Sequence, residues 1–111
     1  MSELARRQIK PPRGGDASPL SGAELTNFKN LLGNGWLIVE EHHLEKVYKF
    51  KDFQSALNFT NEVGALAEEV DHHPEICLTW GKAKVTIWTH SIGGLSEADF
   101  VFAARSDLLV A

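Results

Sequence analysis

The sequence predicts a two-layer α+β domain, in which helices pack on one face of a four-stranded antiparallel sheet. The first observation is that apolar residues recur at helical period in separate stretches near 21–32, 53–70 and 97–109. The second is that short segments rich in β-branched and aromatic residues lie between these stretches, two at a time. The resulting order is α-ββ-α-ββ-α, for which a helix layer on a small sheet is the simplest solution. Residues 21–111 are expected to form this single domain.

The first half of the domain begins with a helix that Ser21 and Glu24 favour through their capping-box spacing. Residues 33–35, Gly-Asn-Gly, tolerate positive φ and should end it. Strands are expected from residue 36 to about 41 and from about 46 to 51. The turn between them is weakly marked because it lacks glycine and proline, and we interpret its His42-His43 pair as solvated loop.

The second half begins at Asp52, which is a good N-cap for a long helix with one broad apolar stripe. The helix should break at Asp71, because Pro74 biases His73 away from helical angles. A hairpin of strands 75–80 and 83–89, joined at Gly81-Lys82, is expected next. Ser96 and Asp99 then begin the final helix.

Residues 1–20 are predicted to be a flexible N-terminal tail that buries little. They hold Pro11, Pro12 and Pro19 together with Gly14-Gly15, a composition that opposes both helix and strand. They also carry four basic and two acidic side chains, so the remaining residues have a net charge of −6.

Composition excludes several classes of function. The formal charge of −4 makes direct nucleic-acid binding unexpected. The apolar runs fall short of the roughly 20 residues of a membrane span, and no secretory signal is visible. The solitary Cys77 cannot form an internal disulfide, which suits a reducing compartment. We therefore expect a cytoplasmic protein.

The chemistry is expected at His72, His73 and His90. An imidazole with a pKa near about 6.5 can donate or accept a proton at neutral pH, and the predicted hairpin would return His90 towards the adjacent pair. Each could instead be a structural or surface residue. The main alternative to acid–base chemistry is a zinc site, since three histidines can bind zinc. Because no H-x-H or H-x-x-x-H spacing occurs, we expect no metal. Glu68 and Asp71 either orient imidazoles or are solvated acids, and Asp99 is interpreted as a capping residue.

The spacing of these residues resembles the signature of the pterin-4a-carbinolamine dehydratases. The matching pattern is Glu68-x3-His72-His73-Pro74-x5-Trp80-x9-His90-x8-Asp99. The likeness extends through Gly35-Trp36, residues 50–53 and Gly94-Leu95-Ser96, and it leaves residues 1–20 outside. Ile76-Cys77 departs from the family, in which an aromatic residue is common after the His-His-Pro-Glu run.

The resemblance implies a hydro-lyase that dehydrates 4a-hydroxytetrahydropterin to quinonoid dihydropterin, in recycling of the tetrahydrobiopterin used by aromatic amino acid hydroxylases. Acid–base chemistry of this kind needs no metal and no redox cofactor. The implied catalytic residues are His72, His73 and His90, with His72 and His90 as the acid–base pair and His73 as the orienting group. The implied substrate-binding residues are Trp36, Glu68, Asp71, Pro74, Trp88, Thr89 and Ser91, with Trp36 as a candidate wall for the flat pterin.

Two other functions stay open. Some animal members of this family also act as dimerisation cofactors of a transcription factor, and a catalytically silent pterin-binding homologue is a third reading. We expect a homodimer or homotetramer, because the sheet leaves two edge strands and the final helix, with residues 100–104 and 108–111, is apolar on more than one side.

Overall fold

The computed structural model describes residues 3–12 and 18–110. Its elements are, in chain order, α1 (Ala23–Leu31), β1 (Leu37–Val39), β2 (His43–Lys49), α2 (Phe53–Val70), β3 (Glu75–Thr79), β4 (Lys82–Ile87) and α3 (Glu97–Leu108). Short 3-10 turns lie at Leu4–Arg6 and His90–Ile92. The strands form one antiparallel sheet in the order β1-β2-β4-β3. The predicted fold class and element order are confirmed.

Burial along β4 shows which face of the sheet carries the core. Ala83, Val85 and Ile87 are fully buried, and the lysines that alternate with them, Lys82 and Lys84, are exposed. This alternation is the period of two that a strand imposes. Helix α2 packs against β3 and β4, and α3 packs against β2 and α1. The helices therefore cover one face of the sheet, as predicted.

Helix α2 begins and ends where the sequence indicates. The Asp52 carboxylate accepts a hydrogen bond from the Ser55 N–H at 2.8 Å and caps the helix. At the other end Asp71 adopts a left-handed conformation with φ 52°, which aspartate tolerates better than most residues. At α1 the expected cap is wrong: the helix begins after Gly22, whose φ is 55°, and no side chain caps it.

The turn of the β3–β4 hairpin lies one residue earlier in the chain than predicted. Thr79 pairs with Lys82, so the turn is Trp80-Gly81 rather than Gly81-Lys82. Gly81 supplies the positive φ of 74° that the turn needs. The same register pairs Glu75 with Thr86. Continued beyond the strands, this register sets His72 opposite Thr89, so the hairpin returns the chain towards the His72-His73 pair as expected.

The β1–β2 turn also differs from the prediction. Glu40 and Glu41 both have φ 54°, and the His42 N–H donates to the Val39 carbonyl at 2.9 Å. This hydrogen bond closes a β-turn with Glu40 and Glu41 at its centre, and because Val39 pairs with His43 the connection consists of the three residues 40–42. The turn shortens β1 and extends β2 back to His43. Two successive positive φ values normally favour glycine or asparagine, so nothing in the local sequence indicated this turn.

The N-terminal segment, defined here as residues 3–12, is packed rather than solvated. Leu4 is fully buried and Ala5 nearly so. The expectation that residues 1–20 bury little is therefore wrong for this segment, because proline-rich composition disfavours regular structure but not packing. The parts of that expectation that concern residues 1–2 and 13–17 lie outside the described residues.

Helix α3 is covered within one chain. Every residue from Phe100 to Ala104 is buried, and the rings of Phe28 and Phe100 stack at 5.3 Å. The expectation that these residues need a second chain to cover them is wrong, because α1 and the N-terminal segment lie on the side left open in the prediction. Leu108 and Val110 stay exposed. In the described part of the chain, no helix is both long enough and apolar enough to cross a membrane.

Candidate active site

A cavity of about 280 Å³ lies where α2 ends, β3 begins and the chain leaves β4. It is open to solvent and is lined by Pro11, Asp71, His72, His73, Thr89, His90 and Ser91. Its volume is close to the lower limit of about 300 Å³ for small-molecule sites. The three imidazoles singled out by the sequence therefore share one cavity.

His72 is the buried imidazole of the three, with 7% of its surface exposed. Its Nε2 lies 2.6 Å from Oδ1 of Asp99. The other oxygen of Asp99 accepts hydrogen bonds from the Thr89 hydroxyl at 2.8 Å and from the Ser96 N–H at 2.9 Å. Asp99 caps α3, as predicted, and it also fixes the ring of His72. The capping position gave no signal of this second contact.

Thr89 lines the cavity, but its hydroxyl group forms hydrogen bonds with buried residues next to the cavity. The oxygen donates to Asp99 and lies 2.7 Å from the Ser96 hydroxyl. The residue is almost completely buried. Thr89 therefore supports the Asp99–His72 pair and offers its remaining surface to the cavity.

His73 and Glu68 form an exposed pair at the cavity. Nε2 of His73 lies 2.5 Å from Oε2 of Glu68, and their side chains are 53% and 79% exposed. They are neighbours because Glu68 lies in the last turn of α2 and His73 follows the end of that helix. Glu68 does not itself line the cavity, so it reaches the site only through this imidazole.

His90 opens the short 3-10 turn after β4 and is held by Trp88. The two rings are stacked, with centroids 4.3 Å apart and planes 4° apart. Trp88 also meets the rings of His42 and His43 at 5.1 Å and 6.0 Å. Trp88 therefore supports His90 from behind rather than lining the cavity.

The interpretation of His42-His43 as solvated loop is wrong. Both residues are half-buried, and their Nδ1 atoms lie 3.0 Å apart, so that one ring donates and the other accepts. His43 is the first residue of β2 and sits beside the outer face of β4. No local pattern indicated the contact of these two rings with Trp88, because it depends on how β2 and β4 pair.

Trp36 is a core residue, and its assignment as a wall for the pterin is wrong. Only 2% of it is exposed, and its Nε1 donates to Asp107 at 3.2 Å. The same carboxylate accepts from the Tyr48 hydroxyl at 2.6 Å and from Lys46 Nζ at 2.8 Å. Burial, followed by the bond to Asp107, raises the pKa of Tyr48. This cluster ties α3 to the sheet.

The remaining predicted residues have other surroundings than expected. Pro74 does not line the cavity. Ser91 does, but its hydroxyl donates to the Pro12 carbonyl at 2.5 Å. Pro11, which sequence reasoning assigned to a flexible tail, is a lining residue. Over residues 3–12 and 18–110, no three or more His, Cys, Asp or Glu side chains are grouped so as to hold a metal ion.

Comparison with known proteins shows to which family this chain belongs. Residues 18–109 match the family model described as pterin 4 alpha carbinolamine dehydratase. A protein of Rubrobacter xylanophilus is 51% identical, over 98% of this chain and 100% of its own. A protein of Alkaliphilus metalliredigens is 47% identical, over 96% of each chain. Both relatives are named for the same dehydratase family.

Two solved structures share the fold. A transcriptional coactivator/pterin dehydratase from Brucella melitensis has a TM-score of 0.78 and 30% identity, over 85% of this chain and 100% of its own. A pterin dehydratase-like protein described as a RuBisCO assembly factor in the alpha-carboxysome has a TM-score of 0.61 and 26% identity, over 70% and 92%. Family model, curated relatives and fold all agree, and the chain therefore belongs to the pterin 4 alpha carbinolamine dehydratase family.

Proposed function

We propose that this protein is a hydro-lyase that dehydrates 4a-hydroxytetrahydropterin to quinonoid dihydropterin. The observation that carries the proposal is the gathering of His72, His73 and His90 at one open cavity. Membership of the family supports the same substrate class. Its physiological place would be the recycling of tetrahydrobiopterin after hydroxylation of aromatic amino acids.

The reaction is an elimination that proton transfer alone can promote. The bond from C4a to its hydroxyl oxygen breaks, and the oxygen leaves as water after it takes a proton from an acid. A base removes the proton from the ring nitrogen, and the electron pair left behind forms the new double bond. Positioned acids and bases contribute roughly 10²–10⁴-fold to such steps.

The geometry favours His73 and His90 as the proton-exchanging pair. A catalytic acid or base must come within hydrogen-bond reach of the substrate, and these two rings are exposed at the cavity. His72 is buried and engaged by Asp99. We therefore propose His72 as the orienting imidazole, which exchanges the roles that the sequence suggested for His72 and His73.

Each exposed ring has its own support. Glu68 holds one nitrogen of His73 and leaves the other for substrate. Trp88 fixes the plane of His90 by stacking and leaves both of its ring nitrogens free of that contact. Such support lowers the entropy lost when the rings are ordered in the transition state. Asp71 adds a carboxylate that can accept hydrogen bonds from the amino edge of a pterin.

The three imidazoles also favour catalysis over a binding role alone. The Brucella structure is described as a coactivator as well as a dehydratase, and the second structure as an assembly factor. A protein-binding surface does not require three histidines around one cavity. Dehydratase activity is therefore the first function to test.

The test is a stopped-flow assay of 4a-hydroxytetrahydropterin dehydration with wild type and His72→Ala, His73→Ala and His90→Ala. We expect His73→Ala and His90→Ala to lower kcat by roughly 10²–10⁴-fold with the fold intact. His72→Ala should lower activity and also thermal stability, because it leaves the buried Asp99 with one partner fewer. Near-normal rates in all three variants would contradict the proposal.

A further inference from the structure

The N-terminal segment is fastened along α3 by several independent contacts. The Leu4 side chain is fully buried. The Arg105 guanidinium of α3 donates to the Ala5 carbonyl at 3.1 Å and to the Arg7 carbonyl at 2.6 Å. Arg7 in turn pairs with Glu97 at 2.7 Å. The backbone path of the segment is therefore set by α3.

This path carries the end of the segment to the candidate active site. Pro11 lines the cavity, and the next carbonyl, that of Pro12, accepts the Ser91 hydroxyl at 2.5 Å. Ser91 belongs to the same loop as His90. The segment thus joins α3 to the loop that carries one of the exposed imidazoles.

The chain meets this loop again at residues 19–20. The Leu20 N–H donates to the Leu95 carbonyl at 2.8 Å. Pro19 lies so close to Gly94 that a Cβ added to the glycine would come within 2.7 Å of the Pro19 ring. Glycine at 94 therefore permits this approach, and the loop is held from both sides.

We propose that Pro11 is a wall of the pterin site, held in place by Arg105 and Ser91. This inference rests on the proposed function and names a binding residue for it. A proline ring offers an apolar face to a planar heterocycle, and its φ is already fixed. A wall that is ordered before the substrate arrives costs little entropy when the substrate binds.

Ser91 acquires a different role from the one suggested by its position. Its hydroxyl hydrogen is used on the Pro12 carbonyl, and a hydroxyl has only one proton to donate. Ser91 and Arg105 are therefore positioning residues, while Pro11 is the group that contacts substrate.

The wall acts on binding and not on proton transfer. Pro11 has no titratable group, and Arg105 does not line the cavity. Loosening the segment should raise KM for 4a-hydroxytetrahydropterin and leave kcat and its pH profile unchanged. A role in the chemistry would change kcat instead.

The experiment compares Arg105→Gln and Pro11→Gly with the control Arg6→Gln. Arg6 is an exposed cation on the same segment, outside the cavity. We expect KM to rise by about 3- to 10-fold in both test variants, the scale of losing the order of one or two side chains. Arg105→Lys should recover part of the loss, since an ammonium can still donate to one of the two carbonyls. Pro11→Gly keeps the test decisive if Arg105→Gln folds poorly.

A binding measurement with 7,8-dihydrobiopterin separates this inference from the proposed function. If wild type binds this pterin without turning over the carbinolamine, and Kd rises in both test variants, the proposed function is wrong and the wall is supported. If turnover occurs with KM unchanged in Arg105→Gln and Pro11→Gly, the wall is wrong and the function stands. A fall in kcat at constant KM, or no pterin binding by wild type, would also overturn the wall.

Discussion

At the scale of residues, each candidate imidazole has a different support. His72 lies against the buried Asp99, His73 against the exposed Glu68 and His90 against the face of Trp88. A carboxylate partner fixes which nitrogen of an imidazole carries the proton. A stacked indole fixes the plane of the ring and leaves both nitrogens available. The site thus holds three similar side chains in three distinct environments.

Glu68→Gln tests whether the carboxylate beside His73 contributes to activity. The amide cannot accept the strong charge-assisted hydrogen bond of a carboxylate, so kcat should fall by on the order of 10-fold, less than in His73→Ala. Glu69→Gln is the matched control, because it removes an exposed charge one residue away on the same helix. Equal rates for the two variants in the stopped-flow assay would contradict a role for Glu68.

Replacing Trp88 and replacing Trp36 should have opposite effects on the quenching of tryptophan fluorescence by a bound pterin. Trp88 stacks on a ring of the cavity, whereas Trp36 is buried in the core. A bound pterin should quench tryptophan fluorescence in wild type and in Trp36→Phe, and most of the quenching should disappear in Trp88→Phe. Fluorescence titration measures this directly. Loss of quenching in Trp36→Phe alone would mean that the pterin binds elsewhere.

At the scale of elements, the ends of helices position the chemistry. Helix α2 ends at Val70, two residues before His72, and α3 begins with the capping pair Ser96 and Asp99. Asp99 thereby serves the helix and the imidazole with one carboxylate. Because Thr89 and His90 follow shortly after the end of β4 at Ile87, the sheet register helps to place them near His72. The caps and the strand pairing together build the cavity.

The Asp52 cap makes the stability of α2 depend on pH. The backbone hydrogen bond from Ser55 lowers the pKa of the Asp52 carboxyl. Its contribution is therefore fully present above the unfolded value near about 3.9 and is lost as the pH falls through the lower folded value. Asp52→Ala should lower Tm at neutral pH, with the difference from wild type shrinking in acid. Asp52→Asn should keep most of the cap without this pH dependence, as thermal unfolding from pH 2 to 7 would show.

At the scale of the whole molecule, the N-terminal segment completes the core. Leu4 is fully buried, and the turn that carries it packs against α3, so residues 21–111 alone would leave this part of α3 uncovered. That residues 21–111 fold as a domain without residues 1–20 stays a prediction. The burial of Leu4 argues that removing the segment would cost stability, since emptying the place of a leucine typically costs about 2–5 kcal/mol.

Association with a second copy is expected from the sheet rather than from α3. Strands β1 and β3 are its edges, and exposed edges tend to pair with another chain. Exposed apolar side chains on or beside the sheet, Leu37, Val47 and Trp80, add to this. Light scattering at micromolar concentration should give the mass of a dimer or tetramer. A monomeric mass would contradict the expectation.

The sequence by itself determined the order of elements, the caps of α2 and α3, and the choice of His72, His73 and His90 as candidates. These depend on local periodicity and on spacing along the chain, which are readable without the fold. Only the tertiary structure decided that Trp36 lies in the core, that His42 and His43 meet Trp88, and that Pro11 reaches the cavity. Arg105 meets the Ala5 carbonyl across 100 positions of chain, and strand pairing joins β2 to β4 across α2. Contacts of that range follow from packing the whole chain, and no local pattern encodes them.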